Sequence, residues 1–356
     1  MLYPLLILNL ICTVIPLSLQ DKKKGLLISI SILFLFLALR YNFGNDYPAY
    51  YRMFYSHNLS GFLDAKIEYG YALLCTIFKP LGFFSLIIFW SAFYCLALYK
   101  TIRRYIPPQY YWLVIMSIIS NADLVFFGAS AIRQTLAFSC ILFILPYLEA
   151  KKPIHYALGI VIASLFHQSA LMFIALYPLM YLKLQNKTFI IIFGLIVLAF
   201  ITILKSQFES IVNLITASYF EKYIDRYGDS EQVIEGGLAG TIIRMIFLFL
   251  FLWSMKFETN KIKSIFFILA VIGIVIFTMR NSASLQRFTL YFGYMMAFSF
   301  SYVLEFIKKK SHIFYILVMT ILLAWNINMA ITFASQPESS FEYITIFESD
   351  KIYIPL

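Results

Sequence analysis

Charge is scarce in this chain. Only 13% of its 356 residues are Asp, Glu, Lys or Arg, where a soluble domain carries about 25%. With 62% hydrophobic residues and a mean hydropathy of +0.82, that shortage excludes an ordinary soluble enzyme and a disordered protein. The familiar signatures of soluble catalysis are missing as well: there is no P-loop, GxGxxG, HExxH or GxSxG. Cysteine is sparse. Cys12, Cys75, Cys95 and Cys140 all sit in apolar runs without CxxC or metal spacing, which excludes a disulfide scaffold and leaves them as small buried hydrophobes. Neither a metal nor a cofactor is expected. Nor is there a long internal repeat or a low-complexity segment. The N-terminus has no basic n-region and no small-x-small cleavage site, so it reads as a retained first span.

What is present is apolar length. Runs long enough to cross a bilayer occupy 2–19, 25–41, 81–102, 109–128, 131–149, 188–204, 241–256, 264–280, 284–305 and 312–333. The expectation is an all-α polytopic transmembrane bundle of about ten to twelve spans, forming one domain over 1–356. The net charge of +10 is then read as orientation and headgroup contact rather than nucleic-acid binding.

The lysines set the direction of the spans. Lys22–Lys24, Lys100 with Arg103 and Arg104, and Lys151 with Lys152 all fall on the cytoplasmic side if the N-terminus is outside. Taken as one crossing, 153–182 would export Lys183, Lys187, Lys256, Lys261, Lys263 and Lys308–Lys310. A stretch that enters and returns, turning near His167, keeps them all inside. Each arm is too short for an untilted crossing, so a broken, re-entrant hairpin is predicted there. Non-helical backbone at that depth survives only in protein or against a wet cavity. Three segments then face outward: loops 42–68 and 206–240, and the tail 334–356. The acidic 206–240 loop is long enough for a lid or platform. Segment 69–79 reads as an interfacial or half-inserted helix.

The arginines break the lysine rule. Arg40, Arg133, Arg244, Arg280 and Arg287 fall near outward ends of spans. Ionisable groups at such depth are costly and are kept where they have a partner. Guanidinium binds phosphate in a planar, bidentate way and keeps its proton. Several together call for an anion, and a lipid-linked diphosphate at the outer leaflet meets that need. The plainer alternative is snorkelling, or pairing with Asp46, Glu68 or Asp123.

Other polar positions are few. Gly44-Asn45-Asp46 is turn chemistry, followed by Tyr50, Tyr51 and Phe54 at helical spacing, which reads as an interfacial aromatic belt. Asp46 lies within reach of Arg40 in sequence and either anchors it or acts as a base. His167 sits at the predicted hairpin turn. It is either a hydrogen-bonded structural residue or the group that deprotonates a hydroxyl acceptor or donates to a leaving phosphate. Glu68 is the alternative base.

These residues also form an ordered pattern: Arg40-x-x-x-Gly-x-Asp-Tyr-x-x-Tyr50, Glu68-x-Gly70, Ile132-Arg133-Gln134-x-x-Ala137, Phe166-His167-x-Ser169-Ala170-Leu171 and Arg287-x-x-x-Tyr291-Phe292. The pattern resembles the EpsG/Wzy group of exopolysaccharide and O-antigen polymerases, which often has Thr where this chain has Asn45. The resemblance implies a multi-pass protein of the bacterial inner membrane with its active site facing the periplasm. It implies a donor and an acceptor that are undecaprenyl-diphosphate-linked glycans, with membrane lipid around them. A chain-length regulator and a flippase would be working partners. On the matching positions, Arg133 and Arg287 hold the diphosphate, His167 lies by the acceptor hydroxyl, and Asp46 and Glu68 shape the site. An O-antigen ligase would use the same donor and much the same arginines. A flippase or other transporter suits a broken hairpin too, but would show similar halves and polar groups on both faces. A structural scaffold is the remaining alternative.

Overall fold

A computed structural model describes residues 3–64, 67–203, 238–278, 283–334 and 343–351. Within the described residues, each of the ten apolar runs is mostly helical. The chain opens with α1 (Tyr3–Ser18), α2 (Lys22–Ala38), a two-residue strand β1 (Arg40–Tyr41), α3 (Tyr47–Ser56), α4 (Leu59–Asp64) and α5 (Tyr69–Phe78). It continues with α6 (Phe83–Tyr105), α7 (Tyr111–Ser120), α8 (Ala122–Ser130), α9 (Ile132–Glu149) and α10 (Pro153–Ser164). A 3-10 stretch, Gln168–Ala175, leads into α11 (Leu176–Leu179). Then come α12 (Lys187–Ile203), α13 (Leu238–Met255), α14 (Lys261–Thr278), α15 (Ala283–Lys310) and α16 (His312–Ala334), followed by strand β2 (Ile344–Thr345).

Among the described residues, five helices are long and apolar enough to cross a membrane: Phe83–Tyr105, Ile132–Glu149, Lys261–Thr278, Phe288–Lys310 and His312–Phe333. A sixth candidate, Pro108–Ser120 with Leu124–Ser130, is bent by 76°. The run 109–128 is therefore not one straight span. It breaks at Asn121, whose backbone is extended and whose carbonyl starts the next helix by accepting from Leu124 and Val125. The second break, at Ala131, is bridged by Thr135, whose hydroxyl donates to the carbonyls of Gly128 and Ala131. Side-chain donors of this kind make broken helices tolerable in lipid. Apolar side chains such as Ile7, Leu10, Ile313, Ile316 and Leu317 stand exposed on α1 and α16. An apolar face of that size belongs in a bilayer rather than in water.

The chain forms two compact units, Met1–Leu182 with Phe300–Leu356, and Lys183–Ser299. In the first, α1 and α2 make a tight hairpin started by Asp21, whose carboxylate accepts from the Lys23 and Lys24 amides. Ser29 donates to the Cys12 carbonyl across it, and Asn9 donates to Ser120 to join α1 to α7. Arg104 pairs with Glu149 at 2.8 Å, tying the ends of α6 and α9 together. In the second unit, α12, α13 and α14 pack through contacts such as Phe251 on Phe267.

The stretch after α9 turns back on itself, as the lysine pattern predicts. Tyr156 on the first arm donates to the Phe173 carbonyl at 2.6 Å, and Tyr177 on the second arm donates to the Lys151 carbonyl at 2.9 Å. The later residue of each pair lies on the returning arm, so the arms are antiparallel and the turn falls at 165–167. In the tail, β2 pairs antiparallel with β1, Arg40 opposite Thr345 and Tyr41 opposite Ile344. The 206–240 loop falls outside the described residues except for its last three positions.

Candidate functional site

The loop before α3 is built by close approach. Gly44 has φ +111°, and a Cβ there would lie 3.0 Å from the Ser130 hydroxyl and 3.1 Å from its backbone. Only glycine fits both the dihedral and the space. Asn45 donates its amide to Ser130 at 2.9 Å, so the loop is docked just ahead of α9. Asp46 then precedes α3, and Tyr50 follows one turn later, its amide donating to the Asp46 carbonyl. The far end of α3 is held by Lys79. Its ammonium donates to the carbonyls of Phe54 (2.7 Å), Tyr55 (3.1 Å) and His57 (2.6 Å). A cation on the last carbonyls of a helix both satisfies them and complements the dipole.

Glu68 is placed by the neighbouring glycine. The Gly70 amide donates to the Leu165 carbonyl at 2.8 Å, and a Cβ on Gly70 would sit 2.8 Å from that oxygen. The first turn of α5 thus rests on the hairpin turn, which puts Glu68 beside 165–167. Glu68 makes an ion pair with Nη1 of Arg133, and the Arg133 Nε donates to the Tyr50 hydroxyl at 3.4 Å. The Glu68 and Arg133 side chains are 15% and 20% exposed, so they are shielded yet reachable. Nη2 makes no hydrogen bond among the described residues and remains a donor held in a fixed plane. Burial pushes the Tyr50 phenol up, while the Arg133 charge pulls it down.

His167 caps the 3-10 stretch. Its Nδ1 accepts from the Ser169 amide at 3.3 Å and lies 2.6 Å from the Ser169 hydroxyl. A backbone amide only donates, so the neutral ring carries its proton on Nε2. Of the two roles expected for His167, this tautomer suits donation rather than proton abstraction.

The predicted residues therefore separate. Glu68 and Arg133 meet directly, Asp46 lies one helical turn from Tyr50, and His167 joins them through the Gly70–Leu165 contact. Arg40 stands apart. It is fully buried, its guanidinium lying 4.3 Å from the centre of the Trp90 ring and 5.9 Å from that of Tyr47. None of its nitrogens has a hydrogen-bond partner, so Asp46 does not anchor it by a hydrogen bond; aromatic rings hold it instead. Arg244 belongs to the Lys183–Ser299 unit, where it donates to the Phe277 carbonyl and the Thr241 hydroxyl, each at 3.4 Å. Arg280 lies outside the described residues. The Arg287 backbone is in α15, and its side chain lies outside them, as does that of Asp123. Tyr50, Lys79 and Ser130 are the contributors that sequence reasoning missed. The spacing Asp46-x-x-x-Tyr50 carried the signal for Tyr50, since it sets the two one helical turn apart at the start of α3.

A family model described as the EpsG family matches residues 25–345, nearly the whole chain. No curated protein and no solved structure matches it.

Proposed function

The chain belongs to the EpsG family, and from that premise we propose that it is a glycan polymerase that joins undecaprenyl-diphosphate-linked repeat units into a surface polysaccharide. In this reading the acceptor hydroxyl oxygen attacks the anomeric carbon of the donor glycan. The bond from that carbon to the diphosphate oxygen breaks, and the diphosphate leaves as an anion. The proton of the acceptor hydroxyl goes to Asp46. Arg133 holds the diphosphate through Nη2 and stabilises the charge that grows on it, a preorganised donor costing little at the moment of reaction. Glu68 and Tyr50 fix the plane of that guanidinium, so Glu68 positions rather than abstracts. His167 donates from Nε2 to a leaving-group oxygen. Arg287, Arg280, Arg244 and Arg40 add to the positive charge that the chain as a whole offers to lipid diphosphates. The working face is the periplasmic side of the inner membrane.

The observation that carries this reading is the Glu68–Arg133–Tyr50 constellation beside the His167 turn. It offers an oriented, partly open guanidinium paired with a carboxylate, beside the turn that carries His167. The test is a gel of surface polysaccharide from cells lacking the gene and complemented with variants. Loss of the long ladder with single capped repeats remaining is the expected result, restored by the wild-type chain and not by Arg133→Ala. Unligated long polymer would mean a ligase, and absence of any repeat at the surface a flippase. Either outcome overturns the proposal.

A further inference from the structure

Three touching groups in the first unit hold polar atoms with no partner: Nε, Nη1 and Nη2 of Arg40, the Tyr47 hydroxyl, and Nε1 of Trp90. All three residues have 0% exposure. Guanidinium and indole only donate, and the phenol brings one more donor. Among the described residues the cluster is therefore rich in donors and carries a full charge, and no carboxylate stands beside it. Contact with the Trp90 face offsets part of the cost of burying the charge, but it leaves the N–H groups unmade. A water molecule would take hydrogen bonds without neutralising the charge. An oxyanion does both.

Beside Arg40 lies the segment 343–351. Tyr343 stacks on Phe36 at 4.0 Å and donates to its carbonyl at 2.7 Å. The β1–β2 pairing follows, and the Ile346 amide donates to the Leu39 carbonyl at 2.9 Å. The pairing sets Thr345 opposite Arg40, and burial pushes the Tyr343 phenol up to about 12 against the pull of the Arg40 charge. A ladder this short is weak by itself and belongs among the parts of a protein that open most easily.

We infer that residues 343–351 are a strap over an occluded site for a phosphate-class anion, bound by Arg40 with Trp90 and Tyr47, and that the anion enters by displacing the strap. The Arg40 nitrogens are wholly covered, so an anion reaches them only after a neighbouring segment moves. An anion that binds only the open state shifts the strap towards opening by its differential affinity. The inference rests on the function proposed above only in naming the lipid diphosphate as the natural anion.

The test uses the full chain in detergent carrying Ile344→Cys, a buried position on the strap; the native cysteines are buried free thiols. Maleimide labelling of that cysteine is timed at constant ionic strength with sodium pyrophosphate, with sodium chloride, or after reconstitution into phosphatidylglycerol vesicles. Pyrophosphate is expected to speed labelling about tenfold, within the usual range of site-to-site coupling, while chloride leaves it unchanged. Acceleration by the vesicles alone would identify a lipid headgroup as the source of the phosphate, and acceleration by pyrophosphate alone a diphosphate. Adding Arg40→Gln should abolish the response, and adding Tyr343→Ala should make labelling fast without any anion. Arg40→Met guards against a misfolded variant: it should raise the thermal midpoint, because an unsatisfied charge is removed. An unchanged labelling rate in every arm, a response that survives Arg40→Gln, or a lowered midpoint in Arg40→Met overturns the inference. No glycan enters these measurements, so their failure is separate from failure of the polymer gel.

Discussion

Arg133 and Arg40 are both arginines near the same end of one unit, and they are held in opposite ways. Arg133 has a carboxylate at Nη1, a phenol at Nε and some access to solvent. Arg40 has aromatic rings, no hydrogen bond and no access. The first is a charge whose desolvation has been met inside the protein, leaving Nη2 available. The second is a charge whose compensation has to come from elsewhere. Position in the sequence does not separate the two, since each stands at an end of an apolar run; what surrounds them does.

That contrast can be broken or sharpened experimentally. The largest expected effect is on activity: Arg133→Ala should slow transfer by about 10²–10³-fold, the usual loss for one preorganised donor. Transfer is measured with purified lipid-linked repeats. Arg133→Lys should recover little of it, because an ammonium cannot reproduce the planar fork. Next come paired stability measurements by thermal unfolding in detergent. Arg133→Met leaves Glu68 shielded and unpaired and should cost about 3 kcal/mol, whereas Arg40→Met should gain about 1 kcal/mol. Equal losses in the two variants would erase the distinction. Lys79→Met removes the donor to three carbonyls at the end of α3 and should cost about 1.5 kcal/mol. It should also lower activity, because α3 carries Tyr50 and follows directly on Asp46. The smallest effect is Tyr50→Phe, which deletes one long hydrogen bond and should cost about 0.5 kcal/mol. Its kcat should fall by more than that loss of stability explains, if Tyr50 orients the guanidinium. A fall matched to the stability change would make Tyr50 packing alone.

Much of this was legible in the sequence. Apolar length located every helix in the ten runs, and the lysine pattern required the chain to turn back near His167, where the Tyr156–Phe173 and Tyr177–Lys151 bonds place the two arms side by side. The Glu68–Arg133 pair was among the alternatives raised for the arginines. Other features were hidden for physical reasons. The break at Asn121 depends on one residue taking an extended backbone inside an apolar run that otherwise reads as continuous. Nearness in sequence favoured an Asp46–Arg40 pair, but the Gly44 turn intervenes and docks on Ser130, and Arg40 is instead covered by Trp90 and Tyr47. The partner of β1 was out of sight altogether, because a two-residue ladder leaves no periodicity to detect.

The strap also has a consequence in time. The bond from Tyr343 to Phe36 joins residues 307 positions apart. At about 5–20 residues per second of synthesis, Arg40 waits about 15–60 s for its cover after it has been made. Throughout that interval the helices around it assemble with a bare guanidinium in their midst, and the chain's own late segment finally shuts it in. Whatever anion meets Arg40 during synthesis does so at an open door, so the newborn protein passes through its receptive state once before it ever works.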